Sequence, residues 1–133
     1  KYQKVLANIV MAKEVLKDAY KPRHAGINPQ GGLGGIGIEN WILQNGGSFE
    51  AAAKEFIRVS ANKNFEEFQE EYAVWDFGEN HLSFRKNDGY MHDNFVKDNM
   101  TEEGYNKMKE VLKEYLRSLE RTQEFTMDHA MHV

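Results

Sequence analysis

The glycines offer the first chemistry in this sequence. Gly31-Gly32-Leu33-Gly34-Gly35-Ile36-Gly37 leads directly into the apolar-rich run from Ile38 to Leu43. Glycines at a helix start leave the first backbone N–H groups uncovered, and those donors, with the positive end of the helix dipole, suit a phosphate. The same residues allow a second use, because Gly35 and Gly37 let another backbone come close. A glycine inside a helix costs roughly 1 kcal/mol relative to alanine, so several together require one of these reasons. Both stay open at this level. Gly32, Gly34 and Gly37 also satisfy G-x-G-x-x-G, but that fingerprint needs a buried strand just before it. Gly26 to Gln30 is polar and contains Pro29, so the dinucleotide reading fails. No P-loop signature is present either.

Other side chains gather near this loop. Lys13, Lys17, Lys21 and Arg23, with His24, cluster about the end of the first helical pattern. Such a cluster is ordinarily a solvated helix end, and its closeness to the glycines offers a phosphate-facing alternative. Asp76, Glu79, His81, Asp88, His92 and Asp93 could supply an acid and a base, although their spacing matches no known arrangement and loops are polar in any case. His129 and His132, with Asp128, would share a helix face, but a zinc site needs three or four ligands. No metal site is assigned. Trp75, Phe77 and Tyr90 could stack on bases, whereas Trp41 lies in an apolar helix and reads as core.

Positioning these groups falls to helices. The chain has 133 residues, enough for one domain with one core. Its formal charge of −4 argues against duplex nucleic-acid binding by a generally basic surface. There is no cysteine, which favours a cytoplasmic setting. No apolar run is long enough to span a membrane. Because the sequence opens inside a helical pattern and without methionine, we expect a fragment of a longer protein. One helical domain would cover residues 1–121, with residues 122–133 as a loosely ordered tail.

The expected fold is mainly α, about five helices with one short extended segment or small hairpin. Val5, Leu6, Ile9, Val10, Leu16 and Tyr20 outline the first helix. The second begins among the glycines and stops at Gly46-Gly47. Ser48 caps a third, Phe49 to Val59, and Asn64 a short acidic one through Phe65, Phe68 and Tyr72. Ala73 to Phe77 reads as extended, with Leu82 to Arg85 as its possible partner. Thr101 caps the last helix, whose stripe is Tyr105, Met108, Leu112, Tyr115, Leu116 and Leu119.

Gly35-Ile36-Gly37-Ile38-Glu39-Asn40-Trp41-Ile42-Leu43, followed by Gly46-Gly47-Ser48-Phe49, resembles the second-domain motif of polymerase-β-like nucleotidyltransferases. The archaeal-type CCA-adding enzymes are the nearest echo, with poly(A) polymerases and oligoadenylate synthetases further off. Met11-Ala12-Lys13 is similar to the preceding helix of that family. Val74-Trp75-Asp76-Phe77, then Asp93 to Val96 and the Thr101 to Tyr105 helix start, are similar to the segment before its final helix. In outline the resemblance extends to about Glu120; its specific part runs from Gly31 to Phe49.

The resemblance implies a nucleotide- or RNA-facing helical domain. Lys13 and the backbone of Gly34, Gly35, Ile36 and Gly37 would contact a nucleoside triphosphate, and Glu39, buried, would position its helix. Lys17 and Arg23 would support them. ATP or another NTP, and Mg, would be held mainly by an N-terminal catalytic domain. The clustered carboxylates that two-metal transfer needs follow a Gly-Ser turn in that family; here Gly47-Ser48 leads only into Phe-Glu-Ala-Ala. This domain would therefore not catalyse alone. The alternatives are a self-sufficient helical interaction module whose glycines serve packing, and a small enzyme using the Asp76 to Asp93 region.

Overall fold

The computed structural model describes residues 2–18, 32–75 and 94–131. These form six helices: α1 (Tyr2–Val15), α2 (Gly34–Gln44), α3 (Phe49–Ser60), α4 (Phe65–Glu71), α5 (Phe95–Asn99) and α6 (Glu102–Met131). A 3₁₀ turn, Leu16–Asp18, extends α1. The protein is mainly α. No described helix is long and apolar enough to cross a membrane.

Local chemistry sets most of the helix ends. Ser48 is extended, and its hydroxyl accepts from the Ala51 N–H at 3.1 Å, relieving one of the unpaired donors that open α3. Asn64 and Glu67 form a reciprocal capping box at the start of α4, with bonds of 2.8 and 2.9 Å. The Thr101 hydroxyl accepts from Gly104 N–H at 3.1 Å at the head of α6. At the other end of α2, the Gly47 N–H returns to the Ile42 carbonyl at 2.8 Å, with Gly47 at a φ of 81°.

Packing follows from the stripes these ends frame. In α3 the buried residues are Phe49, Ala52, Ala53, Phe56 and Ser60, the spacing of one helix face. Tyr105, Met108 and Leu112 of α6 close over it. Trp41 of α2 is fully buried between these layers, edge-on to Phe49 and Phe56 with ring centroids 6.0 and 6.2 Å away. Its indole N–H donates to the Tyr72 hydroxyl at 2.9 Å, and that hydroxyl in turn donates to Glu55 at 3.2 Å. Burial pushes the Tyr72 phenol well above its ordinary pKa, with the Trp41 bond opposing and the Glu55 charge reinforcing.

Helix α1 lies antiparallel to α2: Val5 sits against Gly47 near the end of α2, and Lys13 meets Glu39 further back along it. The stripe of α1 that reaches the core is Ile9, Ala12 and, in the 3₁₀ turn, Leu16, with Val5 partly buried. Leu6 and Val10, expected inside, face solvent instead. Ala12 is fully buried in the inward stripe.

One further difference from the sequence reading is local. Ala73 to Phe77 does not form a strand in its described part; Trp75 makes one isolated antiparallel bridge with Asn94. The N–H groups of Val74 and Trp75 go to the side chains of Asn94 and Gln44, both at 3.2 Å, where a strand would offer carbonyls. The helical backbone of α6 continues past Arg121 to Met131. Glu114 meets both Arg117 and Arg121, and the Thr122 hydroxyl donates to Ser118, so its solvated part has support of its own. Leu82 to Arg85 and Tyr20 lie outside the described residues.

Candidate functional site

The glycines at the start of α2 divide between roles. Gly34 has a φ of 83°, a left-handed conformation that side-chain-bearing residues adopt only with strain. It turns the chain into the helix and is itself buried. Gly37 is a packing residue. A Cβ there would stand 3.0 Å from Leu33 Cβ and 3.1 Å from the Phe95 ring, so the absent side chain is what admits α5. Gly35 is partly buried and Ile36 is 57% exposed, leaving this flank of the first turn towards solvent. Leu33 precedes the helix with dihedrals of −76° and −21° and offers no side-chain cap. Its carbonyl accepts from the Asn99 amide at 3.2 Å, which ties the turn to the end of α5.

Lys13 of α1 reaches this flank of α2. Its ammonium donates to Glu39 Oε2 at 2.7 Å, with 39% and 43% of the two side chains exposed. Glu39 is four residues after Gly35, so both lie on one face of α2. The expectation of a buried Glu39 is thus corrected: it stands on the rim, because the inward face is already filled by Ile38, Trp41 and Ile42. Lys17, one turn beyond Lys13, pairs with Glu14 at 2.9 Å. The Asn40 amide donates back to the Ile36 carbonyl at 2.9 Å, within the helix.

Chemically, this arrangement can offer a cation paired with a carboxylate, on the helix whose start has no side-chain cap. Two grooves on the described residues lie elsewhere. One of about 420 Å³ is lined by Val5, Asn8, Met11, Gly47 and Tyr115 among others. The second, about 540 Å³, runs along Val15, Val111, Glu114, Tyr115 and Ser118.

The remaining sequence candidates separate cleanly. Trp41 is core. Trp75 is 48% exposed, beside Gln44 of α2. Lys21, Arg23, His24, Asp76, Phe77, Glu79, His81, Asp88, Tyr90, His92 and Asp93 lie outside the described residues, as do the side chains of Asp128, His129 and His132. Sequence reasoning missed Asn8, whose Oδ1 accepts from the Phe49 N–H at 2.9 Å and so joins α1 to the head of α3. It also missed Asn94, which accepts from both Val74 and Val96. An asparagine before a short apolar run is the available signal for the second; none marks the first. No protein-family model, curated protein or solved structure matches the chain.

Proposed function

We propose that this chain is the helical nucleotide- or RNA-facing domain of a nucleotidyltransferase, working beside a catalytic domain that carries the metal-binding carboxylates. The observation that carries the reading is the 2.7 Å pair between Lys13 and Glu39. It joins two residues distant in sequence on the flank of α2 that also holds partly buried Gly35. In this reading Lys13 and the backbone at Gly35 and Ile36, rather than at buried Gly34 and Gly37, meet the phosphates of an NTP, ATP among them. Magnesium and the acceptor, such as an RNA, sit mainly with the other domain, so the chain is inactive alone. Lys17 and Arg23 add positive charge. The setting is cytoplasmic.

One ammonium and a few amides suffice only for weak contact with free nucleotide, on the order of 1 mM or about −4 kcal/mol. Titrating the chain with ATP and magnesium while recording amide NMR spectra tests this. Shifts centred on Gly34 to Gly37, and lost in Lys13→Met, are expected. A spectrum whose glycine amides stay fixed at several-fold higher nucleotide concentration refutes the reading.

A helical interaction module is the competing reading, and one feature favours it. Leu6 and Val10 of α1, Ile36 and Leu43 of α2, and Trp75 are all exposed on elements that adjoin one another. Where such exposed apolar residues form a contiguous patch, they commonly mark an interaction surface. A partner domain covering them is compatible with either reading, whereas the nucleotide titration separates the two.

A further inference from the structure

We propose that Glu39 acts as a built-in competitor for the phosphate at Lys13, so that a triphosphate binds by displacing this carboxylate from the ammonium. The inference rests on the reading of Lys13 as a phosphate contact and adds a regulation of that contact. Lys13 Nζ and Glu39 Oε2 are 2.7 Å apart, and each side chain is about two-fifths exposed, at 39% and 43%. An anion arriving from solvent can therefore reach the ammonium, and the carboxylate has room to leave it.

Two effects of Glu39 oppose each other. As a tether it would hold Lys13 in place for the ligand. As a charge it would repel that ligand. Half-exposed ion pairs orient their side chains only weakly, so the tether is slight. The repulsion is larger. A carboxylate that stayed on the ammonium would lie about 5 Å from a phosphate oxygen bonded there, and this repulsion is what displacement relieves. Two unit charges at that distance, in a dielectric close to that of water, change an equilibrium about fourfold, and more in the lower dielectric of a protein surface. A triphosphate brings several charges, so removing the carboxylate is expected to tighten binding by about 3- to 30-fold. Repulsion wins over tethering.

The test uses inorganic triphosphate without metal, titrated into the chain, Glu39→Gln, Lys13→Met and Glu14→Gln by calorimetry or NMR. Glu14→Gln makes the same change in net charge on α1, at the carboxylate that pairs with Lys17. The expected result is weak binding by the unaltered chain, tighter binding by Glu39→Gln, a much smaller gain in Glu14→Gln, and none in Lys13→Met. Unchanged thermal unfolding of Glu39→Gln accompanies it. Equal or weaker binding by Glu39→Gln, with Lys13→Met still inactive, overturns the competition while leaving the phosphate site intact. An equal gain in Glu14→Gln reduces the effect to net charge and also overturns it. Absence of binding by both the chain and Glu39→Gln removes the phosphate site itself, and the inference with it.

Discussion

Replacing Gly47 by alanine brings a Cβ within 2.7 Å of Val5 Cγ2, with Val5 Cβ and Cγ1 both at 3.6 Å. Two costs add. The left-handed φ of 81° strains any side chain by about 1–2 kcal/mol. The overlap with Val5, a β-branched residue that rotates poorly within a helix, adds about 1–2 kcal/mol as α1 shifts outward. Gly47→Ala is therefore expected to lose about 2–4 kcal/mol. Gly46 provides the control: its φ is 74°, but a Cβ there meets nothing within 4 Å. Gly46→Ala should lose only the strain, about 1–2 kcal/mol. Urea denaturation of both variants, each in Val5 and Val5→Ala backgrounds, completes a double-mutant cycle. The excess cost at Gly47 should vanish when Val5 is shortened. If Gly47→Ala costs the same in both backgrounds, or no more than Gly46→Ala, then α1 does not rest on this turn and the antiparallel α1–α2 arrangement is wrong.

The other expectations concern the core and a cap. Tyr72→Phe leaves the buried Trp41 N–H without its 2.9 Å acceptor and should cost about 1–3 kcal/mol at neutral pH, read by urea denaturation. The same residue gives a pH dependence. Its folded pKa is raised above 10.0 mainly by burial, so above that pH the unfolded chain releases a proton that the folded chain keeps. Stability is whole below about pH 10 and declines as pH rises, by up to about 1.4 kcal/mol per pH unit from this group. Tyr72→Phe should flatten that decline, and an equally steep fall in the variant would contradict the assignment. Asn64→Ala removes the capping box of α4 and should cost about 1 kcal/mol in thermal or urea unfolding.

The helix starts at Ser48, Asn64 and Thr101 were legible before the structure because a cap depends on residues three apart, whose geometry the backbone itself supplies. The stripe of α6 was legible for the same reason: periodicity reports a face without naming what covers it. Periodicity misled at α1, where Leu6 and Val10 fit an apolar pattern but stand in solvent. Which of several overlapping stripes turns inward is chosen by the neighbours, and here α2, α3 and α6 together select Ile9, Ala12 and Leu16. The extended reading of Ala73 to Phe77 weakened for a similar reason. Side chains of Gln44 and Asn94, both distant in sequence, took backbone donors that a strand would have paired.

The sequence alone therefore determined a helical chain, most of its caps, and a glycine-opened second helix, all properties carried by residues within a turn or two of one another. The tertiary structure decided what those glycines do. Gly37 carries no side chain because Phe95 lies over it, and Gly34 turns the chain through a left-handed conformation. It also decided that Lys13 meets Glu39, 26 residues away, on an open rim. Contacts of that kind depend on how whole helices pack, and packing sums many weak apolar contacts over the whole core. No local spacing along the chain encodes that sum.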